Sequence, residues 1–140
     1  MIKRIIDRMI NRAIARGPDF VIGGLDNPYL LRWYLIPRNR FFNVYLHQFL
    51  RDDDDRALHD HPWPWCSILL RGGYIEHTIA AGGVHQQHER QAPSIKFAGP
   101  RRAHRVELLK IAAFLASQPG SRTALTCWTL FITGPRIRQW

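Results

Sequence analysis

The chain has 140 residues, of which 46% are hydrophobic and 22% are charged. These fractions are those of an ordinary globular domain, and they exclude a disordered, collagen-like or coiled-coil chain. The charge is less ordinary, because 20 Lys and Arg residues against 11 Asp and Glu residues give a net charge of +9. The basic residues are scattered and form no recognised nucleic-acid motif, so we do not expect nucleic acid as a partner.

The sequence also bears on the cellular compartment. It has no apolar run near the roughly 18 to 20 residues that span a bilayer, and its N-terminus does not resemble a secretory signal. Two cysteines, Cys66 and Cys127, are too few for a disulfide framework, which favours a reducing compartment. We therefore expect a cytoplasmic protein with no transmembrane segment.

The N-terminal segment predicts an amphipathic helix. Apolar residues recur at spacings of three and four from Ile2 to Ile14, and arginines occupy much of the rest. Gly17 and Pro18 form a conventional helix stop. We expect this helix over residues 1–17 and a single domain over residues 18–140. Such an apolar stripe favours packing against its own domain or a sister subunit over a membrane surface, and we expect a homodimer.

The rest of the chain predicts an all-β domain. Short runs of β-branched and aromatic residues alternate with Gly, Pro, Asn and Asp. About eight short strands in succession indicate a sandwich or barrel. A long connection is expected over residues 110–122. The predicted strands cover residues 30–36, 42–50, 65–71, 74–80, 84–90, 94–97, 104–109 and 123–133.

Three histidines suggest a metal site. His59 and His61 are two residues apart, so in an extended segment their imidazoles project to one face. His104 follows a Gly-Pro turn at the start of a predicted strand and can supply a third ligand. Three protein ligands leave room for water or substrate on the ion. The alternative is an ordinary pair of polar surface residues, but the flanking Pro62-Trp63-Pro64-Trp65 stretch disfavours a surface strand.

Two stretches resemble the motifs of the cupin superfamily. From His59-Asp60-His61, four residues lead to Cys66 and six more to Gly73, a spacing similar to the first cupin motif. Residues 99–104 resemble the second motif, in which a Pro turn precedes the last His ligand. The resemblance covers roughly residues 42–133 and implies an RmlC-like, cupin-type jelly-roll β-barrel. It also implies a divalent metal ion (Fe, Zn, Mn or Ni) held near one mouth of the barrel by the three histidines.

Cys66 stands where the cupin motif usually has a metal-binding Glu. This departure is similar to the arrangement in cysteine dioxygenase-like cupins, which implies a thiol beside the metal and a catalytic role for Cys66. In cysteine dioxygenase a Tyr on a late strand can be cross-linked to the Cys, but the strand predicted over residues 123–133 has no Tyr. Thiol oxidation is therefore only one option. The alternative for Cys66 is a small buried core residue.

Five further residues are candidates for the substrate pocket. Tyr45 and His47 share one strand face, and either line the pocket or face solvent. Trp65 either fills the barrel or stacks on a ring-bearing ligand. Arg101 and Arg102 either clamp an anionic group near the mouth or are exposed turn arginines.

Other polar residues receive no role in the site. His77, His85 and His88 fall on a polar hairpin, where surface placement is expected. Neither Glu76 nor Glu107 is assigned as a general base.

Three functions fit these observations. The first is a three-His metalloenzyme, such as an Fe(II) dioxygenase or an isomerase. Its substrate would be a small molecule, either neutral or anionic. The second is a non-catalytic module that binds a small ligand or a metal. The third is an interaction protein that docks through its N-terminal helix.

Overall fold

A computed structural model describes residues 1–52, 58–112 and 122–139. This part of the chain contains one α-helix and eleven β-strands. They are, in order, α1 (Ile2–Arg16), β1 (Phe20–Ile22), β2 (Leu30–Tyr34), β3 (Asn43–Phe49), β4 (Trp65–Arg71), β5 (Gly73–Ile79), β6 (His85–Gln91), β7 (Ser94–Ala98), β8 (His104–Leu108), β9 (Lys110–Ala112), β10 (Arg122–Ala124) and β11 (Cys127–Thr133).

The strands form antiparallel sheets. The largest sheet has six strands in the order β1-β2-β3-β11-β4-β7, a second has the order β6-β5-β8, and β9 pairs with β10. This arrangement confirms the predicted all-β jelly roll with an N-terminal helix. Within the described residues, no helix combines the length and the apolar character needed to cross a membrane.

The strand predictions differ from the structure mainly where strands are short. β1 and β9, of three residues each, were not predicted, because so short a run carries little periodic signal. The strand predicted over residues 123–133 is divided into β10 and β11, since Leu125 and Thr126 interrupt the pairing. The connection predicted over residues 110–122 begins and ends in the paired strands β9 and β10, and its middle lies outside the described residues.

Helix α1 packs on the outer face of the six-stranded sheet. Ile10 and Ala13 are buried against Trp33, Leu46 and Trp128, which come from three adjacent strands. The rings of Trp33 and Trp128 stack with centroids 5.3 Å apart. The central residues of the helix's apolar stripe therefore pack against the chain's own domain. Because the helix covers the outer face, the opposite face of the same strands is left to form the interior.

The helix offers a matched test of this packing. Ile10 is 1% exposed, whereas Ile14 on the same helix is 57% exposed. We expect Ile10→Val to lower the free energy of unfolding by about 1 kcal/mol, because it removes one buried methyl group. Ile14→Val should leave stability unchanged within error in the same urea titration. Equal effects of the two substitutions would contradict the packing of α1 on the sheet.

Candidate metal centre

The three predicted histidines meet at one point between the two larger sheets. His59 and His104 form an isolated antiparallel bridge, in which the amide of His59 donates to the carbonyl of His104 (3.0 Å) and the amide of His104 donates back (2.8 Å). His61, two residues further on, projects to the same side. One side-chain nitrogen from each ring lies within 4.8 Å of the other two.

The spacing of the His61 and His104 nitrogens fits a single metal ion. Nε2 of His61 and Nε2 of His104 are 3.1 Å apart. Two imidazole nitrogens at about 2.1 Å from one ion lie roughly 3.0 to 3.4 Å from each other. The ring centroids of His59 and His104 are 5.1 Å apart, and those of His61 and His104 are 5.3 Å apart. The residues present could therefore hold a divalent ion with three imidazole ligands.

The environment keeps the ring of His61 neutral. Burial, together with the nearby His104, His59 and Arg32, lowers the pKa of His61 to about 3. A neutral imidazole has the free lone pair that a metal requires. At neutral pH the site therefore offers nitrogen donors without first having to lose a proton from His61.

Glu76 orients His104. Its side chain is 1% exposed, and its Oε1 atom lies 3.3 Å from Nδ1 of His104. A carboxylate at this position holds the proton on Nδ1 and leaves Nε2 free to face the other histidines. Lys96 Nζ contacts the same carboxylate, and Arg90 Nε donates to Oε2 at 3.0 Å. Glu76 is therefore a charged group with its own counterions beneath the histidines.

An apolar cavity lies beside the histidine cluster. It has a volume of about 430 Å³, within the range of small-molecule sites. The ring centroids of Trp65 and His104 are 4.9 Å apart, and those of Phe131 and His61 are 5.7 Å apart. The other aromatic residues that line the cavity are Tyr29, Phe49, Trp63 and Tyr74. A small molecule in this cavity would contact the histidines and an aromatic wall together.

Several solved structures are similar to this one. The crystal structure of Fe(II)-HppE aligns with a TM-score of 0.58 and 13% identity, covering 86% of this chain and 58% of that chain. A cupin superfamily protein from Desulfitobacterium hafniense gives a TM-score of 0.53 and 11% identity, covering 81% and 84% of the two chains. The cupin domain of Schizosaccharomyces pombe Cnp3 gives 0.54 and 6%, covering 76% and 61%. The chain has the cupin fold.

The likeness is one of fold, since all three identities are low. The chain spans little more than half the length of HppE, at 58%. No protein-family profile matches the sequence. No curated protein matches it either.

In this cupin fold, His47 lines the cavity and is 3% exposed. The alternative in which Tyr45 and His47 face solvent is therefore wrong. Tyr45 is also buried and stacks on His47 with ring centroids 5.8 Å apart, but it does not line the cavity. The alternation of β3 misled that interpretation because both faces of the strand are buried. Leu46 packs outward under α1, while the residues on either side of it face the interior.

Cys66 does not reach the metal centre. On β4 the side chains of Trp65 and Ser67 face the cavity, and Cys66 lies between them on the opposite face, partly exposed. Its cross-strand partners are Ile132 and Phe97. The prediction of a catalytic thiol beside the metal is corrected accordingly. The motif match rests only on the number of residues between positions. Which residues of β4 face inward is set by the pairing of β4 with β11.

Arg101 and Arg102 also lie outside the cavity. Both are exposed, in a turn closed by a hydrogen bond from the amide of Arg102 to the carbonyl of Gly99 (3.3 Å). The predicted clamp at these positions is therefore corrected. Among the described residues that line the cavity, Arg32 on β2 supplies a guanidinium. The sequence signal for it was its alternation with the outward-facing Leu31 and Trp33.

The hairpin histidines divide into two groups. His85 and His88 are exposed, as expected. His77 is 3% exposed, so its predicted surface position is wrong. It is held between Glu107 at 2.8 Å and His85 at 2.9 Å, which satisfy both ring nitrogens. This group lies on the opposite face of β5 from Glu76 and takes no part in the metal centre.

Proposed function

We propose that this cupin-fold chain binds a divalent metal ion through His59, His61 and His104 and acts on a small molecule held in the adjoining cavity. The observation that carries the proposal is the convergence of three imidazoles from two distant segments onto an apolar cavity. Neutral ligands leave the ion its full charge, and three of them leave coordination positions for water or substrate.

The donor set suits several metals. When bound, Fe(II) at such a site supplies redox chemistry with dioxygen, whereas Zn, Mn or Ni supplies Lewis-acid polarisation. The chain's own residues have separate tasks. Glu76 holds the proton on Nδ1 of His104, and Trp65 and Phe131 form an apolar wall beside the histidines.

Among the described residues that line the cavity there is no Asp or Glu. Acid–base chemistry by a pair of carboxylates therefore finds no support in this part of the chain. An oxidation that uses Fe(II) and dioxygen needs no such pair, and the fold is similar to that of Fe(II)-HppE. We infer that a dioxygen-dependent reaction is the best-supported activity.

Metal content provides the test. We expect untagged protein purified from cells to contain about one divalent ion per chain, and His59→Ala/His61→Ala to contain almost none. The matched control is His85→Ala/His88→Ala, which removes two exposed histidines and should keep the metal. Elemental analysis of the three proteins reads out the result. Equal metal in all three would overturn the proposed site.

Turnover separates the candidate functions. Fe(II)-loaded protein that consumes dioxygen with a small-molecule substrate would support the enzyme. A metal-loaded protein that binds a ligand without turnover would support the non-catalytic module instead. The homodimeric state, the cytoplasmic location and the two-part domain division stay predictions. Gel filtration of a chain that lacks residues 1–17 tests the role of the helix in dimer formation.

A further inference from the structure

The guanidinium of Arg32 lies on the wall of the cavity. Arg32 lines the cavity, and among the described residues no carboxylate forms an ion pair with it. Burial lowers the pKa of Arg32, which reflects the cost of removing its charge from water. Arg32 is partly buried. Charges that are withdrawn from water are normally paired, so the guanidinium calls for an anion.

The contacts of Arg32 hold it in place and leave donors unused. It is directly opposite His47 in the register of β2 and β3, and its Nε donates to Nε2 of His47 at 2.9 Å. Its guanidinium carbon lies 4.7 Å from the centre of the Tyr45 ring. Neither Nη group hydrogen-bonds to another described residue. A planar group fixed at one edge in this way presents two parallel N–H donors, which match a carboxylate.

Two further polar atoms of the cavity lack partners among the described residues. They are the hydroxyl Oγ1 of Thr129 and the indole Nε1 of Trp65, both on residues that line the cavity. Thr129 lies opposite His47 on the neighbouring strand β11. Buried polar atoms are almost always hydrogen-bonded, so these two indicate a polar group on the bound molecule. Both can donate a hydrogen bond.

The charge balance of the cavity is positive. Arg32 is the sole charged side chain among its described lining residues. The nearby carboxylate of Glu76 is already paired with Lys96 and Arg90. A divalent ion at the histidines would add further positive charge.

We propose that Arg32 binds the carboxylate, or a similar oxyanion, of a small molecule whose apolar body rests against the aromatic wall of the cavity. That this molecule is the substrate rests on the proposed function, whereas its binding to Arg32 does not require the metal. The assignment moves the anion clamp from Arg101 and Arg102, which are exposed, to a residue on the cavity wall.

Benzoate and benzamide make a matched pair of probes, because they share a ring and differ in charge. We expect isothermal titration of the full chain to show benzoate binding at least about tenfold more tightly than benzamide. Arg32→Gln should abolish that preference. Arg40→Gln, which removes an exposed arginine, should keep it. Arg32→Lys keeps the charge without the planar donor pair and should show a reduced preference. This variant serves as the test if Arg32→Gln fails to fold.

The titrations are run with and without Zn(II), so that the two proposals fail in different ways. A benzoate preference that survives Arg32→Gln but disappears when Zn(II) is removed would place the anion on the metal and overturn the role of Arg32. Equal binding of both probes to the unaltered protein would also overturn it. An Arg32-dependent preference in protein that binds no Zn(II) would uphold the anion site and count against the metal centre.

Discussion

Glu76→Gln is expected to destabilise the metal-free protein by about 3 to 5 kcal/mol. The substitution keeps the shape of the side chain but removes a buried negative charge that contacts Lys96 and Arg90. Lys96 is itself buried, so its ammonium would be left in the interior without a counterion. Breaking a buried ion pair from one side has a large cost for this reason. Chemical denaturation followed by tryptophan fluorescence measures the loss.

The same substitution should weaken metal binding. Without the carboxylate, the Nδ1 proton of His104 is held less firmly, and we expect metal affinity to fall about 10- to 100-fold. Glu89→Gln is the control, since Glu89 is exposed and contacts Gln91. It should change neither quantity. Metal affinity and stability that are unaltered in Glu76→Gln would contradict the role given to this carboxylate.

Acid should destabilise the metal-free protein well above the pH at which carboxylates titrate. Burial holds the pKa of His47 well below its usual 6.5, and Arg32 and His61 lower it further. The unfolded chain therefore takes up a proton near pH 6.5 that the folded chain does not. Stability is complete above that pH and falls as the pH drops, by up to about 1.4 kcal/mol per pH unit for each such histidine. His61 extends the loss toward its folded pKa of about 3.

Unfolding free energies between pH 7.5 and 5 in the presence of a chelator check this expectation. His47→Gln should reduce the slope, because Gln does not titrate. His88→Gln removes an exposed histidine and should leave the slope unchanged. A flat profile for the unaltered chain, or identical slopes for all three proteins, would rule out His47 as a source of acid sensitivity.

Periodicity and spacing were enough to predict the framework. The i, i+3, i+4 pattern placed each end of α1 within one residue of its position in the structure, and the run of short alternating segments predicted the all-β class. His59 and His61 were found because a strand projects alternate residues to one face, and His104 because it follows a Gly-Pro turn. These signals are local, so they survive without knowledge of which strands pair.

What could not be predicted depends on pairing between distant strands. Cys66 and Ser67 are neighbours, and nothing local says which of them faces inward until β4 is paired with β11. Glu76 and Arg32 are charged residues within strands, which by themselves favour a solvent-facing position. Glu76 is buried beside the cations of Lys96 and Arg90, and Arg32 is partly buried beside its cross-strand partner His47. None of these partners is near in sequence.

The backbone bridge between His59 and His104 ties ligand geometry to strand alignment. Each of these residues satisfies the main-chain donor and acceptor of the other while its ring points to the common centre. A slip of one position would therefore turn a ligand away and leave two peptide groups mismatched at the same time. Inserting or deleting a single residue on either side of this bridge would disrupt the fold and the site together. Substitutions in the cavity wall can change which ligand binds and leave both intact.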